Sequence, residues 1–176
     1  MVDHLTRYLT RIFQGKVAIV GVGNMLRGDD GFGPALIERI QGTVQATCID
    51  AGPAPENYFG VIVRAKPDTI LFIDAANIDM QPGAYAILKK EDIAGLGLTT
   101  HDIPLGMLMD YLEKESRAQI CMLAVQPAQV AFGSVMSGCV VKALDQLSAL
   151  IGCAAKIRPS TDGFNVIPDL IGNTSF

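Results

Sequence analysis

Apolar positions at Leu5, Tyr8, Leu9, Ile12 and Phe13 recur at the spacing of one helical face, which predicts an amphipathic helix ahead of Gly15. Residues 1–15 then form an N-terminal addition packed on the outside of the domain. Short β-rich apolar runs follow at residues 16–20, 47–49, 69–73, 84–88 and 120–125, each the length of a strand and bounded by Gly, Pro, Asp or Gln. Between them the helical spacing returns: at Phe32, Leu36, Ile37 and Ile40; over residues 56–65; at Leu105, Leu108, Met109 and Leu112; and at Val140, Leu144, Leu147 and Ile151. A parallel connection must cross over a sheet and does so with a covering helix, so this alternation predicts a three-layer α/β/α fold. Its centre is a mostly parallel, five-stranded twisted sheet with helices on both faces. The 84–88 run follows its predecessor too closely for a crossover; Pro82-Gly83 offers a turn, and the run is predicted as an antiparallel edge strand. From Lys156 onward Pro, Gly, Asn and Ser replace periodicity, which predicts a loosely packed tail over residues 156–176. The expected organisation is one domain over residues 1–176, with its core at 16–155.

Composition narrows the function. The 176 residues carry 14 Lys and Arg against 18 Asp and Glu, a net charge of −4, so no basic field is available to hold a nucleic acid. With 49% hydrophobic and 18% charged residues the bulk of the chain is expected to fold by itself. Mean hydropathy is +0.33, yet no run approaches the roughly 18 apolar residues of a membrane span. Asp3, Arg7 and Arg11 interrupt the N-terminal apolar residues where a secretory signal would be continuous, so a cytoplasmic protein without membrane insertion is expected. Cys48, Cys121, Cys139 and Cys153 are widely spaced and read as core thiols rather than a zinc or disulfide framework.

In open α/β sheets ligands bind beyond the carboxyl ends of the strands, and here those ends are polar. The first strand runs into GVGNMLRGDDGFGP (residues 21–34), the second ends at Asp50, the third at Asp74 and the fifth at Gln126; Thr99-Thr100-His101-Asp102 precedes the Pro104 helix. The glycine loop is not a dinucleotide fingerprint, because Leu26 stands where the third glycine belongs and Asp29 and Asp30 would repel pyrophosphate. A P-loop is excluded by the missing Gly-Lys-Ser/Thr, so no nucleotide cofactor is expected.

One Asp of the 29–30 pair suffices to cap the following helix, which leaves the other for function. Asp74 closes an apolar strand, where an unpaired carboxylate is costly to bury. His4 lies on the peripheral first helix, so among the two histidines only His101 can serve a central site. Its plain role is a loop residue bonded to a carbonyl, with Thr100 or Asp102 capping the next helix. Together one imidazole and two carboxylates form an N/O donor set suited to nickel, zinc or similar divalent ions. Glu56 reads as a first-turn helix residue. Met25, Met107, Met109 and Met122 read as core filler, with Met25 and Leu26 alternatively forming an apolar contact surface.

These residues carry a family resemblance. Gly21, Gly23, Asn24, Leu26, Asp29, Asp30, Gly31 and Gly33 meet the pattern G-x-G-N-x-L-x-x-D-D/E-G-x-G of the nickel–iron hydrogenase maturation proteases. IDAGPAPEN (49–57), FIDAANIDMQPG (72–83), TTHDIPL (99–105) and VQPAQVAFG (125–133) also resemble that family, in particular the members serving the hydrogenase of formate hydrogenlyase (hydrogenase 3). The resemblance spans about residues 16–151. It implies an endopeptidase that removes the C-terminal extension of the hydrogenase large-subunit precursor after nickel insertion. The metal ligands it implies are Asp30, Asp74 and His101, with Asp30 and Asp74 catalytic and the nickel carried by the substrate. It also implies a monomer. Either nickel polarises the scissile carbonyl, or a carboxylate activates water while nickel positions the chain. The alternative is a non-catalytic nickel-site chaperone of the large subunit.

Overall fold

A computed structural model describes residues 2–95, 99–100 and 103–155. Its strands are β1 (Val17–Val22), β2 (Thr47–Gly52), β3 (Thr69–Ala75), β4 (Tyr85–Lys89), β5 (Thr99–Thr100), β6 (Ile103–Pro104) and β7 (Gln119–Val125). The helices are α1 (Val2–Ile12), α2 (Phe32–Ile40), α3 (Phe59–Arg64), α4 (Lys90–Gly95), α5 (Leu105–Ser116) and α6 (Gly138–Ala154). The main sheet has the order β2-β1-β3-β7-β4; all neighbours are parallel except β4, which runs antiparallel to β7 at the edge. This is the expected α/β/α fold with its antiparallel edge strand.

Period-2 alternation divides β3 between two cores. Leu71 and Ile73 face α1, α2 and α6, beside Ile19, Leu123 and Phe32. Ile70 and Phe72 face α5, with Met109 and Leu112, and meet Ile62 of α3 and Ile93 of α4. The chain steps from β1 outward to β2, then reverses to lay β3 on the other side of β1. That reversal opens a crevice at the carboxyl ends of β1 and β3, where folds of this type place their ligands.

α1 is more than an external addition. Leu5, Leu9 and Ile12 are buried in the same cluster as α2 and α6, and enclosing Leu9 alone stabilises by ~1.5–3 kcal/mol. β1 and β2 extend beyond the predicted runs, because Gly21 pairs with Asp50 and Val22 with Gly52 after a shift of register. α4 and the β5–β6 pair were not legible: KEDIAG is too short to show a period, and two-residue strands carry no pattern. Lys90 of α4 bonds Asp110 and Glu113 of α5, which ties the short helix down. Of the four cysteines read as core thiols, only Cys121 is fully buried, and Cys153 is exposed. Met109 and Met122 fill the core as expected, but Met25 and Met107 face solvent. The predicted tail at 156–176 lies outside the described residues.

Candidate active site

The loop after β1 approaches the sheet more closely than side chains permit. Gly23 has φ +128°, and a Cβ there would overlap the Asp30 carbonyl oxygen and end 3.7 Å from Asp74 Oδ1. Only glycine lets the chain leave β1 between these two residues. Gly33 closes against Val22 and Ile73, and a Cβ on Gly21 would meet the Gly33 carbonyl at 2.6 Å, so these glycines bring α2 onto β1. Leu26, which spoils the nucleotide pattern, is 61% exposed and takes no part in that contact.

Asp29 and Asp30 leave one 3₁₀ turn (Gly28–Gly31) for different partners. The expectation that one of them caps α2 is not met: Gly31 is the N-cap, and no side chain bonds there. Asp29 is fully buried and reaches across to the loop after β7. Its Oδ2 accepts from Ala128 N at 2.7 Å, Gln129 N at 3.0 Å and Ser137 Oγ at 2.9 Å; its Oδ1 accepts from Ser137 N at 2.6 Å. Burial by itself would raise the Asp29 pKa, but the Ser137, Gln129 and Ala128 donors outweigh it and hold the carboxyl below the ordinary aspartate value.

Asp30 Oδ2 accepts from Asn24 N at 2.9 Å, and Asn24 Oδ1 in turn accepts from Leu26 N, so Asn24 orders the loop in front of Asp30. Asp74 lies at the end of β3, opposite Ala124 of β7. It keeps some surface open at the rim, while the protein packed around it and the Asp30 charge push its pKa well above the usual carboxylate range. The Ala75 amide opposes this only in part. Two carboxylates therefore converge at the crevice, and the Asn24 and Ala75 amides do not offset the burial and charge that act on Asp74, an arrangement a cation would relieve.

His101 lies outside the described residues, between β5 and β6, whose Thr100 and Ile103 pair. Among the described residues no three His, Cys, Asp or Glu side chains form a metal-holding group. Glu56 occupies the first turn of a 3₁₀ segment (Pro55–Tyr58), as a first-turn residue should. Sequence reasoning missed Ser137 and the role of Gln126, whose Oε1 accepts from Ile78 N at 2.9 Å and Met80 N at 3.3 Å and so holds the segment beyond Asp74. The polar end of β7 was the available signal for Gln126; Ser137 had none.

A family model described as "Hydrogenase maturation protease" matches residues 34–152, a stretch that takes in Asp74 and His101. The chain belongs to the hydrogenase maturation protease family. It is 39% identical over 114 residues to the hydrogenase 3 maturation protease of Escherichia coli K12, covering 63% of this chain and 72% of that one. A putative hydrogenase maturation protease of Methanocaldococcus jannaschii is 31% identical over 127 residues, 66% of this chain and 75% of the relative. Among solved structures, the NiFe hydrogenase maturation protease HycI of Thermococcus kodakarensis superposes with a TM-score of 0.77 at 28% identity, covering 84% of this chain and 97% of that chain. No helix among the described residues is long and apolar enough to cross a membrane.

Proposed function

We propose that this protease removes the C-terminal extension of a nickel–iron hydrogenase large-subunit precursor after nickel has been inserted. The observation that carries the reading is the convergence of Asp30 and Asp74 at the sheet crevice, where the Asp30 charge disfavours ionisation of Asp74. A divalent ion brought by the substrate supplies the missing positive charge. The site then favours a precursor that already holds its metal over one that does not. Asp30, Asp74 and His101 engage nickel bound by the precursor's cysteines, and the metal serves as the recognition element. The same carboxylates serve either chemical route: holding nickel against the scissile carbonyl, or drawing a proton from the attacking water.

Two neighbouring loops, one with exposed Met25 and Leu26 and the other with exposed Phe132 and Val135, offer the precursor chain an apolar surface. Backbone bonds join the two loops: Gly28 N donates to Ser134 O at 3.1 Å, and Gly133 N to Leu26 O at 2.7 Å. The protease acts as a cytoplasmic monomer and takes no nucleotide cofactor.

The test is incubation of the purified protein with nickel-loaded and nickel-free precursor, read by mass spectrometry. Loss of a C-terminal peptide from the nickel-loaded precursor alone is expected. A stable complex with neither precursor shortened would replace this reading with that of a nickel-site chaperone.

A further inference from the structure

The loop between β7 and α6, residues 126–137, contains no fully buried residue, and only Met136 near its far end packs against the core. Beside the backbone bonds at Gly133 and Ser134, the side chain that fastens the loop is Asp29. Four donors from Ala128, Gln129 and Ser137 converge on that one carboxylate, and Asp29 N returns a bond to Gln129 O at 3.0 Å. The next residue in the chain is Asp30, held in the same 3₁₀ turn, where its Oδ2 accepts from Asn24 N. The position of the Asp30 backbone thus depends on the anchorage of its neighbour. So does the placement of Phe132 and Val135, 74% and 80% exposed in the same loop.

We infer that Asp29 is a positioning residue: its buried carboxylate fixes the 126–137 loop to the turn that presents Asp30, holding the carboxylate and the precursor-facing loop in one register. The inference rests on the proteolytic reading above. A residue that served stability alone would change the amount of folded enzyme and leave the KM for precursor unaltered. Asp29 acts on both parameters, because it sets the Asp30 orientation, read in kcat, and the loop surface, read in KM.

Asp29→Asn keeps the volume but turns an amide toward backbone N–H groups. Ser137→Ala removes one of the four bonds and leaves the others in place. Hydrogen bonds to a charged group of this kind set the expected scale: kcat/KM for nickel-loaded precursor falls about 100-fold in Asp29→Asn and about 10-fold in Ser137→Ala, with KM raised in both. Adding Ser137→Ala to Asp29→Asn should cost little more, since the hydroxyl works through the carboxylate. Amide hydrogen exchange supplies a readout independent of cleavage. Exchange at Ala128, Gln129 and Ser137 should quicken in both variants while the amides of β1, β3 and β7 stay protected. If Asp29→Asn fails to fold, Ser137→Ala decides alone. Wild-type KM and kcat in a folded variant would overturn the inference, as would unchanged exchange at the three loop amides. Failure of wild-type protein to cleave any precursor would instead remove the proteolytic reading, and the exchange result would still report whether Asp29 anchors the loop.

Discussion

Asp29 and Asp30 are adjacent in one turn, and their environments are opposite. The first is fully buried yet held below the ordinary aspartate value by four donors; the second faces a like charge on Asp74, whose own pKa is driven up. Burial therefore does not distinguish a structural carboxylate from a reactive one. What does is whether the fold itself supplies the compensating donors or leaves that to a ligand.

The sharpest way to break the comparison is to remove the charge on each side. Asp30→Asn and Asp74→Asn are expected to lower precursor cleavage by about 1000-fold or more, since the proposed function puts both at the reacting centre. Neither should lower the melting temperature, because each substitution relieves repulsion; melting of either variant would mark it as a structural residue. Gly23→Ala comes next. Its Cβ overlaps the Asp30 carbonyl at a φ that L-residues rarely adopt, so cleavage should fall about 100-fold even where the sheet survives, as checked by cleavage rate and circular dichroism. Asp29→Ala strands three backbone donors and should cost about 2–4 kcal/mol in denaturant unfolding.

The pH dependence separates the two sites by sign. A raised folded pKa means that the native state holds the Asp74 proton more tightly than the unfolded chain, so this residue weakens the fold at neutral pH and ceases to do so as pH falls toward 3.8. Asp74→Asn should therefore be more stable than wild type at pH 7, and the difference should vanish in acid. Asp29 has a lowered folded pKa. Its contribution is present above 3.8 and is lost only as pH falls through the folded value, so the acid limb of wild-type unfolding should flatten in Asp29→Asn. Urea titrations at pH 3–8 read both. The smallest effect is expected at the apolar rim: Phe132→Ser should raise KM by about 3-fold with kcat unchanged.

Much of this frame was legible in the chain. Five apolar runs, each with turn residues at its ends, marked the five strands of the main sheet, and the short interval before residues 84–88 identified the antiparallel edge. The aspartates at strand ends pointed to the rim, because a carboxylate closing the run Ile70-Leu71-Phe72-Ile73 has no apolar reason to be there. The contact between Asp29 and Ser137 was not legible: it joins residues 108 apart, and a capping role explained the Asp29 carboxylate equally well from local sequence. How far α1 shares the core was not legible for a related reason. Helical periodicity shows which face is apolar, but not that the face closes the same core as α2 and α6.

The most direct test is a carboxyl-carbon NMR titration of Asp29 and Asp74 in the wild-type protein and in Asp30→Asn. Asp29 is expected to titrate below 3.8 and Asp74 well above it, with Asp74 moving down toward the ordinary value once the Asp30 charge is gone. If both aspartates titrate near 3.8, or if Asp74 is indifferent to Asp30→Asn, the two carboxylates do not share a site and the proposed nickel-reading pair does not exist.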